Sequence, residues 1–193
     1  MEVPSLAFQL AMGIALAACA GLRAFLPLFV VGVAGKLGWV QLGASFEWLA
    51  SWPALVVLGV AVVTEVLSDK IPLVDHLLDL VGGFIKPAAG AMLAASVLTQ
   101  LTPLQSAVVG IVAGGSSAGV VHLAKAKVRL FSSITTAGLG NPFLSFGEDI
   151  ASLVGSVIAI LVPVLLLLML LATLVVLFIL RRRFRLRAAR LGR

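Results

Sequence analysis

The sequence predicts an all-α protein: a polytopic transmembrane helical bundle of about five to six spans, with broken or re-entrant segments and a faint internal repeat. Three observations predict it. The 193 residues are 61% hydrophobic and 11% charged, against about 25% charged in soluble domains. Long apolar runs recur at the ~20-residue length that a ~30 Å hydrocarbon core requires. Gly and Pro interrupt those runs beside ionisable residues, and irregular backbone survives at membrane depth only where protein or water covers it. The length suits one transmembrane domain, residues 1–180, followed by a basic cytoplasmic tail, residues 181–193.

The net charge of +6 belongs to that tail, which holds seven of the fourteen basic residues. The rest of the chain carries seven basic against eight acidic residues. The basicity therefore points to anionic lipid headgroups in the bilayer and not to nucleic acid. Cys19 is the only cysteine, so an intrachain disulfide is excluded. Glu2 is the only charge before Arg23. A signal peptide would need a basic start, so the first apolar segment reads as a retained span.

Leu6 to Gly35 is apolar except for Gln9 and Arg23, and longer than one span needs. Gly21 and Pro27 bracket Arg23. This predicts one span over about 5–21, then a short broken helix over about 24–35. The alternative is one long tilted helix whose Arg23 snorkels to a headgroup. Lys36 to Pro53 is a polar connection holding Trp39, Trp48, Trp52 and Glu47. Tryptophan prefers the headgroup zone, so this loop is expected on the membrane surface, helical over about 45–51.

Pro53 to Ser68 is the second span and delivers Glu65 to the stretch that organises the chain, Glu65 to Asp79. Ionisable groups at membrane depth cost about 2.5–3.5 kcal/mol each on the gentlest scale. Glu65 and Asp69 lie at i, i+4 on one helix face. Pro72 limits that helix. Asp75 and Asp79 repeat the spacing in a second short helix expected to end at Gly82-Gly83. Lys86-Pro87 then opens a short apolar helix, Ala88 to Leu101. Thr102-Pro103-Leu104-Gln105 has the form of a capping box with proline at the first helical position, starting a span over about 103–124. Gly110, Gly114, Gly115 and Gly119 give it a face for close packing.

His122, Lys125 and Arg129 follow at i, i+3, i+7 as one basic stripe, with Lys70 the basic residue of the earlier stretch. Such a stripe either reaches lipid phosphates or binds a substrate anion. Ser132 to Gly147 is polar and Gly-rich, including Asn141-Pro142, and is expected to pack back into the protein. Ser145 and Glu148 form a second apparent capping box, which would place Glu148 and Asp149 at the positive end of a helix dipole. Ile150 to Leu180 is free of charge and too long for an upright span, so Pro163 should kink it. The arginines after Leu180 predict a cytoplasmic C-terminus. Gly13-Ile-Ala-Leu-Ala-Ala-Cys19 echoes Gly90-Ala-Met-Leu-Ala-Ala-Ser96, as the internal duplications of transporters do.

The ordered set Gly21-Leu-Arg23-Ala-Phe-Leu-Pro27, Glu65 with Asp69-Lys70-Ile-Pro72 and Asp75, His122 with Lys125 and Arg129, Asn141-Pro142, Ser145 and Glu148-Asp149 resembles the bacterial membrane family called domain of unknown function 4126, over about residues 8–165. The resemblance implies a multi-pass protein of the bacterial inner membrane and no particular activity.

Three function classes remain. The first is a small-solute or ion transporter or channel. Its candidate binding residues are Arg23, Glu65, Asp69, Lys70, Asp75, Asp79, His122, Lys125, Arg129, Asn141, Glu148 and Asp149. The second is a non-catalytic assembly or lipid-interacting protein whose charges pair within a bundle. The third and weakest is a lipid-directed enzyme using a metal at Asp75, His76, Asp79 and His122. The spacing does not favour that set, so neither catalysis nor a cofactor is expected. No P-loop is present to drive transport by nucleotide. A homo-oligomer is compatible with the sequence.

Overall fold

A computed structural model describes residues 4–68, 72–136, 138–163, 171–173 and 175–176, with backbone alone for 72–80. The described residues are helical, without strands. The elements are α1 (Leu6–Leu22), α2 (Phe25–Lys36), a 3₁₀ turn (Ala44–Ala50), α3 (Trp52–Ser68), α4 (Pro72–Ser96), α5 (Pro103–Val109), a π-helical segment (Gly110–Gly115), α6 (Ser116–Thr136) and α7 (Asn141–Leu161). Among the described residues, two helices are long and apolar enough to cross a membrane, Pro103–Thr136 and Asn141–Leu161. A third candidate is Ala44–Ala50 with Trp52–Ser68, bent by 65°. The α1 and α2 helices are shorter and apolar.

The broken first segment is present: α1 stops at Leu22, Arg23 is extended at φ −133°, and α2 starts at Phe25. Arg23 is 1% exposed, so it does not snorkel. The tryptophan loop is exposed at Trp39, Trp48 and Trp52, with its 3₁₀ turn where a short helix is expected.

The expected stop at Gly82-Gly83 is absent, since α4 runs unbroken from Pro72 to Ser96 with Pro87 inside it. Pro87 withdraws the hydrogen bond that the Gly83 carbonyl would receive and crowds that residue. Gly83 has open space around it and no side chain to add to the crowding. The helix also absorbs Lys86, which the sequence places at a helix start.

Helices α1, α4 and α6 form the tight centre. A Cβ on Gly110 would lie 2.5 Å from the Ala91 carbonyl oxygen, one on Gly90 2.5 Å from Ala118 Cβ, and one on Gly21 2.5 Å from the Ala118 carbonyl oxygen. Only glycine permits these approaches. The α1–α4 contact has a reciprocal form. A Cβ on Gly13 would lie 3.1 Å from Ala94 Cα, and one on Gly90 3.4 Å from Ala17 Cβ.

The capping box at Thr102 is present: its hydroxyl accepts from Gln105 N (3.4 Å), and Gln105 Oε1 accepts from Thr102 N (3.1 Å). The second box is not. Gly140 caps α7, Asn141 and Pro142 occupy its first turn, and Ser145 lies inside the helix. Pro142 needs no amide partner in a first turn, so α7 begins before the serine can cap it. The segment 132–147 is therefore a helix end, a tight turn with Gly138 at φ +85°, and a helix start. It does not fold back as a unit, since Ile134, Leu139, Phe143 and Phe146 are all exposed. Helix α7 ends at Val162 (φ −144°), where the residue before Pro163 leaves the helical region.

The bundle has two ends. At the loop end, Gln9 Nε2 donates to Thr99 Oγ1 (2.9 Å) and Gly43 N to Ser96 O (2.8 Å). The α1/α2 break gathers with the far halves of α3, α4, α6 and α7 at the opposite end.

Candidate functional site

A break in a helix exposes carbonyls on one side and amides on the other, and neither can stay unpaired out of water. Ionisable residues satisfy both sides here. Lys125 Nζ donates to the Leu22 carbonyl at the end of α1 (3.2 Å). Glu65 accepts from Ala24 N at Oε1 (2.7 Å) and from Phe25 N at Oε2 (3.1 Å) at the start of α2. A cation at a helix C-terminus and a carboxylate at an N-terminus each match the local dipole.

Arg23, the residue in the break, reaches three residues on two helices. Its Nε meets Asp149 Oδ1 at 2.6 Å, its Nη2 donates to Ser145 Oγ (2.8 Å) and Ser145 O (3.3 Å), and its Nη1 donates to Glu65 O (3.4 Å). One guanidinium thus ties the α1/α2 break to α3 and α7, which its planar fork of donors suits. Ser145, read from sequence as a helix cap, serves instead as an acceptor for this arginine.

Next to it, Glu148 accepts from Arg129 Nε (3.2 Å) and Nη2 (2.9 Å), a bidentate pair, and from Lys125 Nζ at 3.0 Å. His122, Lys125 and Arg129 are 6%, 6% and 4% exposed, so the whole basic stripe turns inward. Its i, i+3, i+7 spacing sets them on one face, while Lys127 is off that face and exposed. Glu148 and Asp149 are not the first-turn dipole partners that the sequence suggests. They sit about two turns inside α7, where Glu148 meets Lys125 and Arg129 of α6 and Asp149 meets Arg23 in the α1/α2 break.

A cavity of about 220 Å³ opens beside the break, lined by Arg23, Phe25, Thr64, Glu65, Ser68 and Lys86 among others. Lys86 is buried, and its Nζ lies 3.3 Å from His122 Nδ1. A Cβ on Gly82 would lie 3.4 Å from Lys86 Cε and 3.6 Å from His122 Cε1, so Gly82 packs against both side chains. Lys86, which the sequence offers beside Arg23 and Lys70 as a basic partner for Glu65, shares the cavity wall with it.

The structure therefore brings together Arg23, Glu65, His122, Lys125, Arg129, Glu148 and Asp149. Asn141 stands apart at the turn, donating from Nδ2 to Ser133 Oγ (2.9 Å). Asp69 and Lys70 lie outside the described residues, as do the side chains of Asp75, His76 and Asp79, and with them the candidate metal set.

Residues 10–183 match the family model described as Domain of unknown function (DUF4126), and the chain belongs to that family. No curated protein and no solved structure matches it.

Proposed function

We propose that this member of the DUF4126 family is a multi-pass bacterial inner-membrane protein that passes a small solute or ion through the cavity at its α1/α2 break. The observation that carries this reading is the cavity itself. A purely structural ion-pair cluster gains nothing from an opening against Arg23, Glu65 and Lys86. At about 220 Å³ the space falls below the usual range for drug-sized ligands, which suits an ion or small polar solute.

The membrane arrangement follows from the two ends. The tryptophans of the loop end suit a headgroup layer, and Lys125, Lys127 and Arg129 at the other end suit the cytoplasmic side. The helices α3, α4, α5–α6 and α7 then cross, and α1 with α2 forms a re-entrant hairpin whose tip is Arg23. A cytoplasmic basic tail, residues 181–193, requires one further crossing by the apolar run after Pro163, which brings the total to five or six with the hairpin. The reciprocal contact of Gly13 with Ala94 and Gly90 with Ala17 pairs equivalent residues of the two echoing segments, which supports an internal two-fold relation.

The second reading is a non-catalytic assembly or lipid-organising protein. The satisfied helix ends and the Arg23–Asp149 and Arg129–Glu148 pairs favour it. Flux through liposomes separates the two. Ala61→Trp places an indole in the cavity wall and removes none of the paired charges. Transport predicts a flux of potassium, sodium, chloride or phosphate in wild type that this variant abolishes with little change in melting temperature. Absence of flux for all four in verified, folded wild-type protein decides for the assembly reading.

A further inference from the structure

A separate groove of about 440 Å³ runs between α2, α3 and α7, away from the charged cluster. Leu26, Val30 and Val33 form one wall, Val157 and Leu161 another, and Trp39 closes one end. Lining residues run from Leu26 to Ala34 on α2 and from Leu153 to Leu161 on α7. At 1.5 Å per residue, each stretch is about 12 Å long. Both helices run toward Trp39, so the groove reaches from the protein's middle depth to the loop end. Trp39 is 69% exposed there, in the position an interfacial tryptophan takes.

A cation stands in the chain between Val33 and Trp39, outside the lining itself. Lys36 lies one helical turn beyond Val33 and is exposed. Its Nζ is held 4.7 Å from the Trp52 ring centroid and 3.4 Å from the Ala50 carbonyl oxygen. In the membrane arrangement proposed above, an apolar slot running into the bilayer with an ammonium near its loop end suits an acyl chain carried by an anionic headgroup. We propose that the groove binds one acyl chain of a phospholipid whose phosphate is met by Lys36. The ligand differs from the solute of the cavity, and the site rests on the membrane arrangement proposed above and not on transport.

Native mass spectrometry of the purified full-length protein in detergent, titrated with dioleoyl phosphatidylglycerol, tests this. Wild type should retain one lipid per chain at low lipid. Val30→Trp should fill the slot and lose that adduct, while Val56→Trp, on an exposed face of α3, should keep it. Lys36→Gln should weaken binding about fivefold, the weight of one basic residue against an anionic lipid. If Val30→Trp does not fold, Val157→Phe narrows the opposite wall. Equal lipid retention by the filled-groove and control variants would mean bulk lipid only and would overturn the proposal. So would a wild type that binds no lipid, leaving the groove to another part of the chain. A dimer abolished by the groove variants would likewise overturn it by giving the groove to a second copy.

Discussion

Glu148→Gln is the sharpest test of what the charged cluster does for the fold. In the wild type one carboxylate meets Lys125 at 3.0 Å and Arg129 at 2.9 and 3.2 Å. Their side chains are 3% and 5% exposed, against 12% for Glu148. An ordinary interhelical hydrogen bond in a membrane protein is worth only about 0.6 kcal/mol. Removing one side of a buried charge pair costs about 3–5 kcal/mol, because the partner stays charged where water cannot reach it. The second magnitude applies, since both bases remain buried. Lys125 keeps the Leu22 carbonyl, so the lower value of about 3 kcal/mol is expected. At about 2–4 °C per kcal/mol for a chain of this size, the melting temperature should fall by about 6–12 °C. Lys125→Met added to Glu148→Gln should recover about 1 kcal/mol or more, because it removes one stranded charge. The assay is thermal unfolding of the purified single, single and double variants. A Glu148→Gln protein melting within about 2 °C of wild type, or a double variant whose loss is simply the sum of both, would refute the reasoning.

Three further outcomes follow from the same structure. Glu65→Ala should destabilise by about 1–2 kcal/mol through loss of the amide contacts at the start of α2, and Glu65→Gln by less, as measured by melting temperature; equal losses would mean that the carboxylate is not a cap. Gly110→Ala should cost about 1–3 kcal/mol because its Cβ meets the Ala91 carbonyl, whereas Gly147→Ala, with nothing within 4 Å, should be neutral or slightly stabilising on the same assay. In a Cys19→Ser background, Glu47→Cys and Leu139→Cys should label from opposite faces of sealed vesicles, with Leu139→Cys on the face that carries the C-terminus; labelling of both from one face would break the two-ended arrangement.

The sequence by itself determined what depends on composition and on local chain chemistry. Apolar runs of span length predict helices, because lipid forces the backbone to bond within each segment. Gly21 and Pro27 around Arg23 marked the break between α1 and α2, Thr102 and Gln105 marked a helix start, and Pro163 marked an interruption, read as a kink where α7 in fact ends, each by a preference a few residues wide. The i, i+3, i+7 spacing put His122, Lys125 and Arg129 on one face, but the direction of that face depends on what packs against it. Only the tertiary structure turned the stripe inward to Glu148 and gave Arg23 to Asp149, partners more than a hundred residues apart for the second pair. The same limit explains the misread segments. Ser145 and Glu148 have the spacing of a cap, yet Pro142 had already started the helix and Arg23 had a use for the serine hydroxyl. Gly82-Gly83 reads as a stop, yet both lie inside α4, where Gly82 faces Lys86 and His122. Local signals act within one turn of chain, whereas charges pair across helices, and the distances that decide those pairs exist only once the bundle has closed.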